Sequence, residues 1–309
     1  MEEKTFVKPN DLNIIVGDSD IIIRKGFVHL NEIIIDKEKS SYDFIETINK
    51  LITDGQVTVS EKDEVYGDLI QLNKMGLLNT KVDAKILVVA NNDICEFIEN
   101  NYNSEIDLCN IEDVLSRKEI LTLNEDKNQT DIIKTIEKAR EKLGSYECVY
   151  VIDAFKNVTT LRAFNRVLFE IDKSSTFAFY DNENIYVTNI QPKTTGCYEC
   201  LEKHISTKFP NTIDYYSSIS RKNESGKLSE AEIMILLGII FKDIDNVNRY
   251  GNTSLEGQVI HFYLPNFEYS YNTNRRHVAC KCCAGLNKVM FEEQNIKAIN
   301  LIKEVVEND

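Results

Sequence analysis

The cysteines are the residues whose type and spacing most clearly indicate chemistry. Cys197 and Cys200 form one C-x2-C pair, and Cys280 and Cys283 form a second. Two such pairs can place four thiolates around a Zn²⁺ ion at about 2.3 Å, which would leave the metal no open coordination position. The spacing therefore predicts a structural zinc site. Because 79 residues lie between the two pairs, the metal would join distant segments of the chain.

Two alternatives remain open for the eight cysteines. The four paired cysteines could be inert buried thiols. Cys282 could also replace Cys283 as a ligand, because it forms a C-x-C pair with Cys280. The remaining cysteines lie in or beside apolar segments and are expected to pack in the core; they are Cys95, Cys109 and Cys148.

The sequence lacks the usual patterns for nucleotide binding and nucleophilic catalysis. The turn after the first buried strand reads Asn91-Asn92-Asp93. A dinucleotide- or ATP-binding turn would need glycines there, so that backbone N–H groups could approach the phosphates. None of the four histidines belongs to a nucleophile motif. We therefore expect neither ATP nor NAD to bind this chain.

Composition and charge exclude several classes of protein. The 309 residues, 42 % hydrophobic and 28 % charged, are typical of a globular protein of about two domains. The net charge of −14 disfavours nucleic acids and anionic membranes as ligands. With no signal peptide or membrane-spanning run, a cytoplasmic location is expected. The local exception to the acidity is Arg275-Arg276-His277, either a solvated face or a contact for an acidic partner.

Residues 1–82 are predicted to form a small α+β unit. Three short β-rich runs, at 13–16, 20–24 and 27–36, precede two amphipathic helices. The third run has no cleanly apolar face, which fits an edge strand better than a central one. Ser60 is a plausible N-cap for the second helix. Three short strands followed by helices have the outline of a winged-helix unit.

Residues 83–309 are predicted to form an α/β domain. Apolar β-rich runs at 86–90, 148–154 and 176–180 alternate with helical patterns, which indicates a parallel sheet. The polar residues 118–128 are expected to form a loop. Further along, Ser229 and Glu232 predict a capping box before a buried helix. The tail, residues 286–306, is expected to be helical.

These motifs together resemble the E1/ThiF-like superfamily of ubiquitin-activating-type proteins. The resemblance rests on Val151-Ile152-Asp153-Ala154, on a following helix with Asn157, Thr160 and Arg162, and on the run from Gly196 to Leu201 closed by Cys280 and Cys283. Two departures affect the ATP and Mg²⁺ machinery. Lys156 stands where active members carry an acidic residue, and Asn91-Asn92-Asp93 replaces their glycine-rich turn.

A degenerate E1-like domain behind a winged-helix unit is similar to one subgroup, the ocin-ThiF-like or microcin B-protein-like subunits of azole-forming synthetases. These subunits serve the biosynthesis of thiazole- and oxazole-modified peptides, including thiopeptides and bacteriocins. The resemblance implies an α/β fold with two domains. Residues 1–82 would form a winged-helix-like peptide-recognition domain. Residues 83–309 would form a degenerate E1/ThiF-like Rossmann-type domain with the four-cysteine zinc site and a C-terminal helix.

The resemblance also implies a peptide-binding groove in the first domain. In the family, the leader of the precursor peptide adds as a strand beside the third β-strand and packs against the third helix. An edge strand supplies unpaired N–H and C=O groups for this, and apolar side chains supply pockets. The expected contact residues, each of which could instead belong to the core, are Val28, His29, Leu30, Asn31, Glu32, Ile33, Ile34, Tyr66, Leu69, Ile70 and Asn73.

The function implied is that of a non-catalytic scaffold. It would hold the leader and present Cys, Ser or Thr residues of the core peptide to a separate YcaO cyclodehydratase. A flavin-dependent dehydrogenase would then oxidise the azolines, and a homodimer is implied by analogy. Two alternatives are an active E1-like adenylating enzyme, which would catalyse pyrophosphate exchange, and a zinc-containing winged-helix regulator, which would bind duplexes in a salt-dependent way.

Overall fold

The computed structural model describes residues 3–26, 30–81, 84–102, 106–125, 128–208 and 228–284. The chain divides into two compact units. The first consists of Met1–Ala84 with Phe241–Ser254, and the second of Lys85–Ile240 with Leu255–Asp309. The expected tail helix and residues 27–29, which include Val28 and His29, lie outside the described residues.

The first unit combines short antiparallel strands with two helices. The strands are β1 Glu3–Val7, β2 Leu12–Val16, β3 Asp20–Lys25, β4 Asn31–Asp36, β5 Gln56–Ser60 and β6 Asn79–Thr80, and the helices are α1 Tyr42–Thr53 and α2 Tyr66–Lys74. The strands form two sheets, ordered β5-β1-β6 and β2-β3-β4. In the described residues β4 is therefore an edge strand, as its sequence predicts.

Helix α1 forms where its apolar stripe and capping residue predict it. The Ser41 hydroxyl accepts the N–H of Phe44 at 3.2 Å, and Phe44, Ile48 and Leu51 are buried in the core of the unit. The predicted cap at Ser60 is wrong, because residues 56–60 form β5 and pair with β1. The alternating polar and apolar residues of β5 suit a strand with one buried face.

The second unit is built on a mixed sheet of seven strands in the described residues, ordered β13-β12-β11-β10-β9-β7-β8. The strands are β7 Ile86–Ala90, β8 Asp107–Asn110, β9 Cys148–Ala154, β10 Ser174–Tyr180, β11 Asn184–Ile190, β12 Gln258–Tyr263 and β13 Glu268–Thr273. Strands β8, β7, β9 and β10 are parallel, and β11 to β13 continue the sheet in antiparallel fashion. The predicted α/β class is thus confirmed.

Helices follow β7, β8, β9 and β11 along the chain. They are α3 Asn92–Asn101, α4 Ile111–Val114, α5 Arg117–Glu125, α6 Gln129–Leu143, α7 Val158–Glu170, α8 Tyr198–Ser206 and α9 Glu230–Tyr250, of which the part from Phe241 onward belongs to the first unit. Strands β7 and β9 are buried along their whole length, which explains their uninterrupted apolar sequences. Among the described helices, none combines the length and apolar character needed to cross a bilayer.

The expected loop at 118–128 is wrong, because α5 occupies most of it. Ile120 and Leu123 are buried in the core of the unit. The helix begins with a capping box, in which the N–H of Ser116 donates to the Glu119 carboxylate at 2.8 Å. The Ser-x-x-Glu spacing of Ser116 and Glu119 could have predicted the start of this helix from the sequence. The capping box at Ser229 and Glu232 is confirmed, with the N–H of Ser229 2.7 Å from the Glu232 carboxylate.

Candidate metal centre and peptide groove

Four cysteines from two distant segments meet in the second unit. Cys197 is the N-cap of α8 and Cys200 lies in its first turn, while Cys280 and Cys283 follow β13. The Sγ atoms of Cys197 and Cys280 are 3.5 Å apart, and those of Cys200 and Cys283 are 3.2 Å apart. All four cysteines are buried, with their Sγ atoms within 4.8 Å of one another. This group could hold a metal ion.

The donor set fits a zinc ion. Tetrahedral thiolates at a Zn–S distance of about 2.3 Å have sulfur atoms about 3.8 Å apart. The Sγ atoms of Cys197 and Cys200 lie 3.9 Å apart, and the two pairs above are slightly closer. Cys283 belongs to this group, whereas Cys282, which is half-buried, does not. A bound zinc ion would supply a cross-link between the two segments.

Hydrogen bonds within the cluster favour thiolates at two of the cysteines. Hydrogen bonding from Cys197 lowers the pKa of Cys200, which also accepts the backbone N–H of His277 at 3.2 Å. Hydrogen bonding from Cys197 likewise lowers the pKa of Cys280 to about 6. Hydrogen bonding to Cys200 raises the pKa of Cys197 itself. Metal binding favours thiolates at all four positions, because the thiolate is the ligand form.

Main-chain contacts bring the two cysteine-bearing segments together. The N–H of Gly196 donates to the carbonyl of Asn274 at 3.0 Å, and the Asn274 side-chain amide donates to the carbonyl of Gly196 at 2.9 Å. A Cβ on Gly196 would lie 2.8 Å from the main-chain oxygens of Asn274 and Arg275. This close approach requires glycine. The start of α8 is held by Asn165, whose Oδ1 accepts the N–H of Tyr198 at 2.9 Å.

A buried ion pair joins α7 to α8. The Arg162 guanidinium donates to both carboxylate oxygens of Glu202, at 2.7 and 2.6 Å. Glu202 is buried, so the loss of this ion pair would cost more stability than the loss of an exposed one. In the same helix, burial raises the pKa of Glu199 to about 7. Arg162, one of the residues behind the resemblance to E1-like proteins, is thus engaged in an internal contact.

Polar side chains fill the crevice where the carboxyl ends of β7 and β9 meet. The chain leaves β7 for β8 on one side and returns to β9 on the other, so this is the point where ligands bind in many α/β sheets. Asn91, the N-cap of α3, donates to Asp153 at 3.2 Å and to the Tyr180 hydroxyl at 2.9 Å. Its Oδ1 accepts the N–H of Ile94 at 3.2 Å.

Asp153 is the centre of this polar cluster. One carboxylate oxygen accepts hydrogen bonds from Asn91, from the Asn157 side chain at 2.8 Å and from the N–H of Ala154 at 2.8 Å. Burial raises the pKa of Asp153 despite these donors. In nucleotide-binding folds, the N–H groups at such a helix start bind phosphate. Here one of them is already paired with the Asn91 side chain, and Asp93 adds a negative charge in the first turn.

In the first unit, a groove of about 460 Å³ lies beside β4. Ile33 and Ile35 of β4 and Phe44 of α1 line its apolar part. The other lining residues are Lys39, Ser40, Ser41, Glu64, Asp68, Gln71, Leu72 and Met75. The Asn31 side chain donates to the carbonyl of Met75 at 2.5 Å and so ties the start of β4 to the end of α2.

One side of β4 pairs with β3, and the other is open in the described residues. The N–H of Lys37 donates to the carbonyl of Ser19 at 3.0 Å, in the register of β3 and β4. Backbone groups alternate in direction along an antiparallel strand, so odd-numbered residues of β4 face β3 and even-numbered residues face the open side. The backbone groups of Glu32 and Ile34 therefore point outward, beside the groove.

The expected contact residues differ in position and burial. Asn31, Glu32, Ile33 and Ile34 lie in β4, and Leu30 precedes it as an exposed residue. In α2, Leu69 is fully buried and Asn73 is buried with its amide on the carbonyl of Leu78 at 2.9 Å. Tyr66 and Ile70 pack partly against the same core.

A different face of α2 lines the groove. Asp68, Gln71 and Leu72 belong to it, with Glu64 before the helix and Met75 at its end. These residues were not among the contacts expected on α2, of which Leu69 and Asn73 are buried. The i, i+4 spacing of Glu64, Asp68 and Leu72 could have predicted from the sequence that these three residues share one face.

Comparisons with known proteins find a shared fold. No protein-family model and no curated protein matches the chain. A solved heterocyclase in complex with substrate and cofactor has a TM-score of 0.50 at 8 % identity, covering 91 % of this chain and 39 % of its own. This chain thus spans about two-fifths of that heterocyclase's length.

Two structures from E. coli are also similar. MccB has a TM-score of 0.46 at 14 % identity, with 90 % of this chain and 97 % of MccB covered. The microcin synthetase McbBCD complex has a TM-score of 0.41 at 10 % identity, with 90 % of this chain and 100 % of that one covered. At 8 % identity, the similarity to the heterocyclase is one of fold alone.

Proposed function

We propose that this protein is a non-catalytic, leader-binding subunit of a synthetase that makes thiazole- and oxazole-modified peptides. Its first unit, a winged-helix-like recognition element, holds the leader of a ribosomally made precursor. Its second unit is a degenerate E1/ThiF-like domain with a structural zinc ion on Cys197, Cys200, Cys280 and Cys283. The observation that carries the proposal is the groove beside the open side of β4.

The leader adds to the sheet as a strand beside β4. Glu32 and Ile34 offer outward-facing N–H and C=O groups, which give affinity without dependence on sequence. Alternate side chains of the added strand then enter the groove, where Ile33, Ile35 and Phe44 favour an apolar residue. Glu64 and Asp68 line the same groove and favour a basic residue two positions further along the added strand.

The second unit serves as a support and not as an adenylating enzyme. Asn91 pairs with the N–H of Ile94, Asp93 adds negative charge, and Lys156 stands where active E1-like members carry an acid. Each feature works against a bound nucleotide and Mg²⁺. The fold shared with a heterocyclase that binds a substrate and a cofactor supports a role in the same kind of synthetase.

The chemistry is then carried out by partner subunits. A YcaO cyclodehydratase forms azolines from Cys, Ser and Thr residues of the core peptide, and a flavin-dependent dehydrogenase oxidises them. A leader bound to this subunit keeps the core peptide at a high effective concentration near those enzymes. The protein acts as a homodimer within the assembly.

A titration of labelled leader peptides tests the proposal. Precursor-like peptides encoded beside the gene are labelled with a fluorophore, and their anisotropy is followed as the purified, zinc-loaded protein is added. We expect saturable binding by one of them, competed by the unlabelled leader and not by its core peptide. Binding of duplex DNA with a steep salt dependence, and of no leader, would instead favour a regulator.

A further inference from the structure

A tight turn with an exposed tip lies beside the four-cysteine group. It runs from His277 to Cys280, and the N–H of Cys280 donates to the carbonyl of His277 at 2.9 Å. The sulfur of Cys200 accepts the N–H of His277 at 3.2 Å. The turn is therefore held at both ends by the candidate metal centre.

The tip of this turn is apolar. Val278 is 79 % exposed, and Ala279 beside it is exposed as well. Tight turns favour Gly, Pro, Asn, Asp and Ser for backbone reasons that do not apply to valine. A β-branched side chain on a held backbone loses little conformational freedom when another molecule covers it. Val278 is thus better suited to contact with a partner than to stabilising its own turn.

Cations surround the apolar tip. Two precede the turn and one follows it. The fourth comes from α8, where its ammonium group donates to the carbonyl of Ala279. Together with Val278, these cations form what we call the basic turn surface. In chain order they are Lys203, Arg275, Arg276 and Lys281.

These cations lack acidic partners in the part of the chain that the structure describes. None of the four forms a salt bridge there. Glu202, next to Lys203 in sequence, is paired with Arg162. The sequence has no acidic residue between Glu268 and Glu292, although the whole chain carries 50 acidic and 36 basic residues. The basic turn surface is therefore a local positive field on an acidic protein.

The candidate metal centre does not account for all of this charge. A zinc ion with four thiolates has a net charge of about −2, which two cations would balance. Two further cations remain, and those that flank the turn, Arg275 and Lys281, are exposed. Their charge is available to a second molecule.

We propose that the basic turn surface docks an acidic face of a partner protein, with Val278 inserted into an apolar pocket ringed by carboxylates. An apolar centre with a polar rim is the usual composition of a protein interface. Opposite charges around it would speed association and fix the orientation of the partner. The partner is a subunit of the same synthetase, an identification that rests on the proposed function. None of the residues involved lines the leader groove.

A nucleic acid fits this surface less well than an acidic protein does. Four cations around an apolar side chain neutralise only a few phosphates, and the chain as a whole carries a net charge of −14. Val278 has no counterpart to contact on a phosphate backbone. The proposal therefore commits to a protein partner.

Titration of the partner subunits tests the docking. The YcaO cyclodehydratase and the flavin-dependent dehydrogenase encoded beside the gene are added in turn to the labelled, zinc-loaded full chain. We expect saturable binding of one of them, with a dissociation constant that rises at least about tenfold between low and high salt. Arg275→Glu and Lys281→Glu should each weaken this binding at least about tenfold at low salt. The matched control is Lys134→Glu, at an exposed residue of α6, which should change the affinity by less than about twofold.

A second variant tests the apolar contact. Val278→Asp places a carboxylate among the carboxylates of the partner and should weaken docking at least about tenfold. Ile133→Asp is its control, because Ile133 is an exposed apolar residue of α6, 59 % accessible, outside the basic turn surface. Zinc content, melting temperature and leader affinity should stay unchanged in all of these variants, since none of them removes a cysteine or a groove residue.

The proposal is overturned if neither subunit binds, or if binding survives both Arg275→Glu and Val278→Asp. Loss of zinc in Arg275→Glu and Lys281→Glu would assign the cations to the metal centre instead. Salt-dependent binding of duplex DNA, or self-association, that disappears in the same variants would assign the surface to a nucleic acid or to a second copy of the chain. Leader binding without subunit docking would overturn this inference alone, and docking without leader binding would overturn only the leader-binding role.

Discussion

The carbonyl of Asn274 accepts the N–H of Gly196 at 3.0 Å, one residue before Cys197 and six residues before Cys280. This contact aligns the two cysteine-bearing segments through their main chains. The Asn274 side chain adds a second hydrogen bond, to the carbonyl of Gly196 at 2.9 Å. The metal centre therefore depends on a close backbone approach as well as on its four thiols.

Gly196→Ala should weaken the metal centre although it removes no ligand. The new Cβ would lie 2.8 Å from two main-chain oxygens, so the segments would have to separate. We expect a loss of about 2 kcal/mol or more in unfolding free energy, in the range of overpacking in a tight interior, together with a lower zinc content by atomic absorption. Gly238→Ala is the control: its Cβ meets nothing within 4 Å in α9, so stability should rise by about 0.5–1 kcal/mol. Normal zinc content in Gly196→Ala would contradict this account.

Cys200→Ser should abolish tight zinc binding. It removes one of four ligands and leaves a hydroxyl that ionises far less readily than a thiol. We expect less than one zinc per chain after dialysis, a lower melting temperature, and no further drop on addition of a chelator, in contrast to wild type. Cys95→Ser, outside the cluster, should keep full zinc content. Stoichiometric zinc in Cys200→Ser would show that the ion sits elsewhere.

Ile34→Pro should weaken leader binding without unfolding the first unit. The N–H of Ile34 points to the open side of β4, so proline removes a donor for an added strand and no bond to β3. Ile34 is 63 % exposed, which limits the packing loss. We expect about tenfold weaker binding in the anisotropy titration, as one or two lost hydrogen bonds predict.

Ile34→Ala is the matched control for this proline variant. It keeps the donor and removes only the exposed side chain, so we expect a change of less than about threefold. Equal losses in both variants would assign the effect to the side chain and not to strand pairing. Unchanged affinity in a folded Ile34→Pro protein would place the leader elsewhere.

The isolated protein should not catalyse ATP–pyrophosphate exchange. Asn91 occupies the N–H of Ile94, and Asp93 lies in the same turn, so a triphosphate would meet a capped helix start and a negative charge. We expect no exchange above a protein-free control, with or without saturating leader. Exchange that depends on leader and disappears in Asp153→Asn would favour the adenylating alternative.

Glu119 should make stability depend on pH in the acid range. Burial raises its pKa, but hydrogen bonds from Lys138 at 2.6 Å and from the Ser116 hydroxyl at 2.7 Å outweigh it and lower the pKa to about 2. Because the folded pKa lies below the unfolded value of about 4.3, the carboxylate stabilises the fold above that pH and loses its contribution as the pH falls toward 2.

Glu119→Gln should therefore reduce the unfolding free energy by about 1–2 kcal/mol at pH 7 and by much less near pH 2. Urea unfolding at several pH values measures the difference. Glu137→Gln, at an exposed residue 3.5 Å from Arg140, should change stability by less than about 0.5 kcal/mol at any pH. If the effect of Glu119→Gln on the unfolding free energy did not depend on pH, folding would not lower the pKa of Glu119.

Local sequence patterns determined much of this fold. The buried strands β7 and β9 coincide with the apolar runs at 86–90 and 148–154, and the capping box at Ser229 begins α9 as expected. The two C-x2-C pairs identified the four thiols that come together. In each case the information lies within a few neighbouring residues, because strand burial, helix capping and metal-ligand spacing are short-range properties.

Only the tertiary structure decided which faces and segments meet. Residues 56–60 form β5 because β1 offers a partner strand, and residues 117–125 form α5 because Ile120 and Leu123 find a core. The face of α2 that lines the groove, the selection of Cys283 over Cys282 and the pairing of Arg162 with Glu202 likewise depend on residues distant in sequence. Such contacts depend on how whole helices and strands pack against one another. The spacing of apolar residues within a short segment of sequence does not specify that packing.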